Sequence, residues 1–132
     1  MTDQPIEFRI GNKTYPYNCI EKIYAEDKII QSICNYFHIE PQKVLSRTRK
    51  REILIVRQLI QYMMKWCVDK KLIPPMSLAK IGEVTGGYDH ATVLHSIRTI
   101  NNLQYLRQIR LILFELKGIM LENFKEHEVK ID

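Results

Sequence analysis

One stretch, from Ser77 to Ser96, constrains the fold more than any other part of this 132-residue chain. It reads SLAKIGEVTGGYDHATVLHS, which is a short apolar-patterned segment, a glycine pair and a second apolar-patterned segment. Ser77 and Asp89 are residue types that cap helix N-termini, so each is expected to begin one helix. Gly82 and Gly86 allow the two helices to approach closely at a steep angle. The pattern therefore predicts a helix-turn-helix.

Apolar residues at three- and four-residue steps predict helices on both sides of this motif. The expected helices lie at about 21–37, a short one from Pro41, 52–70, 77–86, 89–102 and 104–124. Alternating residues in 6–10 and 13–17 around a Gly-Asn pair predict a β-hairpin. We therefore expect an all-α fold, a small helical bundle preceded by a short hairpin or extended arm. Residues 1–19 would form the arm and residues 20–132 the domain, which ends in an extended helix.

The remaining composition argues for an intracellular location. No apolar run reaches the roughly 18–20 residues that a membrane span needs, and the first residues do not resemble a secretory signal. The three cysteines, Cys19, Cys34 and Cys67, are widely spaced and form no C-x-x-C pair. The chain is accordingly expected to be soluble and cytoplasmic, with reduced cysteines in its core.

The net charge of +5 is concentrated in the middle of the chain. Residues 27–102 carry twelve basic and six acidic side chains, whereas residues 1–26 and 103–132 are close to neutral. Nucleic acid is the commonest partner of such a basic segment. A basic surface kept for solubility is the alternative that composition leaves open.

The second helix of the motif starts with small or hydrogen-bonding side chains. Asp89 can accept a hydrogen bond from a cytosine amino group, His90 can donate or accept, and the Ala91 methyl can meet a thymine methyl. A recognition helix needs such residues in its first turn, because that turn enters the major groove. For Asp89 alone, a role as N-cap is the simpler interpretation.

A second candidate feature is the basic segment 46–51, SRTRKR, here called the basic loop. It contains four cations, Arg47, Arg49, Lys50 and Arg51. The helix after it carries Arg57, Gln58 and Lys65, with Arg57 and Lys65 about two turns apart. A cationic loop beside a cationic helix side could straddle a phosphate backbone. A solvated loop without a ligand is the alternative.

Catalytic interpretations have little support. His90 and His95 are five residues apart and would point about 140° away from each other on a helix, so they do not form a metal site. No phosphate-binding loop of the G-x-x-x-x-G-K-[ST] type occurs in the sequence. We expect no enzymatic activity, no metal and no cofactor.

Residues 86–95, GGYDHATVLH, resemble the signature GGRDHTTVLH of the C-terminal DNA-binding domain (domain IV) of the bacterial chromosomal replication initiator family DnaA. The resemblance covers about residues 28–102. It includes the basic loop and the following pairs and triplets: Tyr36-Phe37, Val44-Leu45-Ser46, Arg57-Gln58, Ser77-Leu78 and Ile81-Gly82. The chain departs from the family pattern at Ala79, Tyr88 and Ala91, where the family has proline, arginine and threonine.

This resemblance implies a Trp-repressor-like helix-turn-helix that binds double-stranded DNA at an initiator box of the TTATCCACA type. The residues that would face major-groove bases are Leu78, Ala79, Asp89, His90 and Ala91. Arg49 matches the arginine that enters the adjacent minor groove. The residues that match backbone contacts are Arg57, Gln58, Lys65, Thr92 and His95.

The sequence thus predicts a stand-alone initiator-like DNA-binding protein without the ATPase module of the family, acting in replication initiation or its regulation. An adaptor that keeps the fold but binds an acidic protein is the alternative. RNA binding is a third possibility, but the sequence shows no array of exposed aromatic residues for base stacking. In the last helix, Leu106, Ile109, Leu113, Leu116 and Met120 could form a surface for a protein partner or for self-association. Ordinary core packing is the simpler interpretation of that stripe.

Overall fold

The computed structural model describes the backbone of residues 7–10, 13–16 and 20–129, and the side chains of residues 25–124. In this part of the chain the fold is all-α with one short hairpin, as predicted. The elements are β1 (Glu7–Ile10), β2 (Lys13–Pro16), α1 (Ile20–Phe37), α2 (Pro41–Leu45), α3 (Arg51–Asp69), α4 (Leu78–Val84), α5 (His90–Asn102), a 3₁₀ turn (Leu103–Tyr105) and α6 (Arg107–Val129).

The two strands form the expected antiparallel hairpin. Glu7 pairs with Pro16 and Ile10 with Lys13, so the strands lie on either side of the Gly-Asn pair in the sequence. Residues 11–12 and 17–19 lie outside the described residues. The division between an arm and a domain at residue 19 stays a prediction.

Helix α3 is the centre of the bundle. It contacts α1, α2, α4, α5 and α6, and its residues 56–61 are all buried. Five of its apolar side chains have no exposed surface: Leu59, Ile60, Met63, Met64 and Cys67. The other helices are amphipathic and bury one stripe each against α3 or its neighbours, which explains the three- and four-residue apolar spacing of the sequence.

The two helices of the motif begin at the predicted caps. The Ser77 hydroxyl accepts a hydrogen bond from the Lys80 backbone N–H at 3.1 Å. The Asp89 carboxylate accepts one from the Thr92 N–H at 2.9 Å. Each bond satisfies a backbone donor that the first turn of a helix leaves without an intrahelical partner.

The last helix differs from the prediction at its start. Leu103–Tyr105 close a 3₁₀ turn, Leu106 is extended, and α6 begins only at Arg107. Ile109, Leu113, Leu116, Met120 and Phe124 are buried in the core, whereas Leu106 is exposed. The stripe that could have formed a partner surface is therefore mainly core, as the simpler interpretation held. No helix in the described part of the chain is long and apolar enough to cross a membrane.

Cys34 and Cys67 are free thiols without exposed surface. Burial raises the pKa of Cys34 to about 11 and that of Cys67 to about 12, because the apolar surroundings disfavour the thiolate. The prediction of core cysteines is confirmed for these two residues. Cys19 lies outside the described residues.

The turn between α4 and α5 depends on glycine at two positions. A Cβ on Gly82 would overlap the carbonyl oxygen of Tyr88, so the two helices can approach this closely only without a side chain there. The Gly82 carbonyl accepts hydrogen bonds from the N–H groups of Gly87 and Tyr88, at 3.0 and 2.9 Å. Gly86 has φ of 126°, a conformation that L side chains rarely adopt.

We expect Gly82→Ala to lower the free energy of unfolding by about 2 kcal/mol or more, because the methyl group pushes the backbone of Tyr88 away from α4. Gly118→Ala is the matched control, since Gly118 also lies inside a helix but a Cβ there meets nothing within 4 Å. That control should raise stability by about 0.5–1 kcal/mol through helix propensity. Thermal and urea unfolding of both variants would measure the difference. Equal effects at the two positions would contradict the close approach of α4 and α5.

Candidate nucleic-acid interface

The basic loop, residues 46–51, is shaped by a buried arginine of α3. Arg57 is only 4% exposed. Its Nε donates to the carbonyl of Val44 at 3.0 Å, and its Nη2 donates to those of Ser46 and Thr48 at 2.7 and 3.2 Å. A buried cation is tolerated only with such compensation. The three bonds fix the course of the chain from the end of α2 into the loop.

Tyr88, just before α5, joins this loop to the helix-turn-helix. The guanidinium carbons of Arg47 and Arg57 both lie 4.9 Å from the centre of its ring, a cation–π distance. Arg47 also donates from Nη1 to the carbonyl of Gly87 at 2.9 Å. The basic loop and the N-terminus of α5 are therefore held side by side on one surface of the protein.

Helix α5 presents a polar and exposed first turn at this surface. His90, Ala91, Thr92 and His95 are all exposed, as is the capping residue Asp89. The hydrogen bond from the Thr92 backbone N–H, and to a smaller extent one from the Thr92 side chain, holds the pKa of Asp89 below its ordinary value. The Asp89 carboxylate is consequently charged at neutral pH and accepts hydrogen bonds only.

Helix α4 adds its first residues to the candidate interface. Ala79 is exposed and Leu78 is partly exposed. In the basic loop and at the start of α3, Arg47, Arg49, Lys50 and Arg51 are exposed. An exposed first turn of α5 beside exposed cations can bring hydrogen-bonding groups and positive charge to one ligand.

Three candidate residues on α3 are less exposed than the basic loop. Arg57 and Gln58 are buried, and the Arg57 guanidinium bonds to carbonyl groups at the end of α2 and in the basic loop. Lys65 is half-exposed and its Nζ lies 2.8 Å from the carboxylate of Asp69, one turn further along α3. Among the candidate cations, the most exposed are those of the basic loop.

A buried pair of polar side chains joins the turn between α4 and α5 to α3. The sequence pattern did not indicate this pair. Gln61 of α3 donates from Nε2 to the hydroxyl of Thr85 at 2.9 Å. That hydroxyl donates to the Ile81 carbonyl at 2.7 Å. Both side chains are fully buried. Polar bonding of this kind fixes one arrangement of the turn relative to α3.

The described residues contain no cluster of three or more His, Cys, Asp or Glu side chains that could hold a metal ion. Within α5, the His95 Nε2 lies 3.5 Å from the Thr99 hydroxyl.

We expect Tyr88→Ala to lower the free energy of unfolding by about 1 kcal/mol, because two guanidinium groups lose their aromatic partner. Hydrogen exchange at the Lys50 amide, which donates to the Thr48 hydroxyl at 3.3 Å, should become faster. Tyr88→Phe keeps the ring and should behave like the parent protein. Tyr105→Ala, at an exposed tyrosine outside this surface, is the control. An unchanged loop in Tyr88→Ala would contradict the role of the ring.

Comparison with known proteins places this surface in a family. The family model described as the bacterial dnaA protein helix-turn-helix matches residues 26–100, which include α2 to α4, the basic loop and most of α5. Among curated relatives, the chromosomal replication initiator protein DnaA of Bacteroides fragilis is 37% identical over 82 residues, 62% of this chain and 16% of that protein.

Two further relatives have the same printed name. That of Flavobacterium psychrophilum is 38% identical over 84 residues, 64% of this chain and 16% of the relative. That of Synechocystis is 35% identical over 86 residues, 64% of this chain and 18% of the relative. The matched region spans only about a sixth of the length of these relatives.

Proposed function

Because the chain belongs to the bacterial DnaA helix-turn-helix family, we propose that it binds double-stranded DNA sequence-specifically, at sites that resemble the replication initiator box. The observation that carries this proposal is the joint surface of the basic loop and the first turn of α5, held together through Tyr88. A major-groove reader needs both parts, because one provides base contacts and the other neutralises phosphates.

The base contacts would come from the N-terminal ends of α4 and α5. Asp89, His90 and Ala91 are exposed and lie in the first turn, which is the part of a recognition helix that reaches base edges. A charged Asp89 favours a cytosine amino group, which is a donor. Leu78 and Ala79 would contact the groove beside them, and Thr92 and His95 the flanking backbone.

The phosphate and minor-groove contacts would come from the basic loop. Arg49 is exposed, and its neighbours Ser46 and Thr48 are fixed by Arg57 through their carbonyl groups. A loop that is already ordered loses less conformational entropy when Arg49 enters a narrow minor groove. Lys50 and Arg51 would then lie near the adjacent phosphates.

The burial of Arg57 and Gln58 supports a different role from a direct phosphate contact. Arg57 would act as a positioning residue, because its donors Nε and Nη2 bond to carbonyls at the end of α2 and in the basic loop. Lys65 would contact phosphate only after it exchanges the Asp69 carboxylate for DNA. Such an exchange costs little, since an exposed ion pair contributes at most about 1 kcal/mol.

The biological role would be in replication initiation or in its regulation, in the cytoplasm where the DNA lies. A protein that binds these sites can mark them, compete for them or repress from them. ATP hydrolysis is not part of the proposal, since the 132 residues contain no phosphate-binding loop.

Fluorescence anisotropy with a TTATCCACA duplex and a scrambled duplex of equal composition would test the proposal, each at low and near-physiological salt. At the higher salt we expect the box duplex to bind at least about a hundredfold more tightly than the scrambled duplex. Equal binding of the two duplexes that disappears at the higher salt would contradict sequence-specific binding. No binding to either duplex would overturn the proposal and favour an adaptor for an acidic protein.

Two variants separate the parts of the surface. His90→Ala should narrow the ratio between box and scrambled duplex about tenfold, because it removes a base contact but no charge from the loop. Arg49→Ala should weaken binding to the box about tenfold or more. Lys70→Ala, which removes an exposed cation at the far end of α3, is the control and should change neither. Identical binding of all three variants would contradict the assignment.

A further inference from the structure

Helix α6 carries a second apolar stripe, which faces away from the core. Leu111, Phe114 and Leu121 are 49%, 76% and 47% exposed. At 100° per residue the centre of this stripe lies about half a turn from Leu116, which is fully buried. The helix therefore packs on the domain by one side and leaves an apolar stripe on the opposite side.

The proposed DNA-binding surface does not account for this stripe. The family match ends at residue 100, before α6 begins at Arg107. The residues that carry the candidate interface lie on α4, α5 and the basic loop, and the described contacts of Tyr88 and Arg57 join those elements to α2 and α3. Exposed large apolar residues that share one face mark interaction surfaces.

The spacing of the stripe matches one helix packing against another. Leu111, Phe114, Gly118 and Leu121 are separated by three, four and three residues, which are the a and d positions of a heptad repeat. Nothing lies within 4 Å of the position of a Cβ on Gly118. A partner helix could approach closely there, with the large side chains on either side of the contact.

The charges beside the stripe indicate what the partner is. Arg110 and Lys117 lie along one edge, at heptad position g, and Glu115 and Glu122 along the other edge, at position e. In a parallel pair of identical helices each g residue meets the e residue five positions later in the partner. Arg110 would then face Glu115 of the second copy, and Lys117 would face Glu122. An antiparallel pair would place the two basic edges together.

Contacts within the chain keep three of these four charges in place. Arg110 donates from Nη1 to the carbonyls of Gln104 and Tyr105, both at 2.9 Å. The Lys117 Nζ lies 5.7 Å from the centre of the Trp66 ring. The Glu115 carboxylate accepts a hydrogen bond from Tyr36. The two edges therefore keep their opposite charge without further ordering.

We propose that this stripe binds a second copy of the chain, with the two α6 helices parallel about a two-fold axis. Three large side chains per copy form a small contact compared with the roughly 1,200 Å² of accessible surface that a stable interface buries. The dimer is therefore weak in free solution. If the proposed function holds, two copies on neighbouring DNA sites would raise the effective concentration, and α6 would make their binding cooperative.

Thiol crosslinking without DNA tests the pairing and its direction, independently of the proposed function. In a Cys19→Ser background, Leu111→Cys should crosslink to itself at high protein concentration, because parallel copies bring the two positions together. Lys43→Cys, at an exposed position on α2 and not on α6, is the control. Crosslinking only in a mixture of Leu111→Cys and Leu121→Cys would show antiparallel helices, and crosslinking no faster than the control would show no dimer. Either result overturns the proposal.

Sedimentation equilibrium tests which side chains stabilise the dimer. Phe114→Ser should weaken association about tenfold or more, and because Phe114 is 76% exposed the fold should stay intact. The double variant Arg110→Glu with Lys117→Glu should also weaken it. Adding Glu115→Lys and Glu122→Lys should restore association, since the two edges again carry opposite charges. An association constant that stays the same in all of these variants would contradict the proposed surface.

Discussion

The bonds of the Arg57 guanidinium hold the candidate interface together. This one group bonds to carbonyls at the end of α2 and in the basic loop, and it stacks on Tyr88 beside α5. A buried cation must keep its acceptors, so the loop cannot move away from α3 without leaving the charge unpaired. Tyr88 passes this constraint to the turn, which Gly82 and the Gln61–Thr85 bond fix against α3 from the other side.

Local sequence signals predicted the motif well, because the forces behind them are local. Caps such as Ser77 and Asp89 act within one turn, and the need for glycine at position 82 follows from two helices that are neighbours in sequence. The burial of Arg57 was not predictable, since its carbonyl acceptors come together only when α2 and the loop fold over α3. Without that packing, an arginine in a basic segment is expected to be exposed.

Helix α6 illustrates a second limit of sequence patterns. Its apolar residues form two stripes, and only the one that contains Leu113, Leu116 and Met120 was identified from the sequence, with core packing as its simpler interpretation. The structure buries these three residues and exposes Leu111 and Phe114 of the other stripe. The exposed stripe became apparent only from the tertiary contacts of α6. The charges beside the exposed stripe became informative once its orientation was known.

The proposed function requires the basic loop and the first turn of α5 to act as one DNA-binding surface. A titration of the ¹⁵N-labelled protein with a box duplex, followed by amide chemical shifts, tests this requirement. We expect the amides of residues 46–51 and 88–95 to shift together at the same DNA concentration, while those of the hairpin strands do not. Shifts in the loop without α5, or on surfaces remote from both, would contradict it.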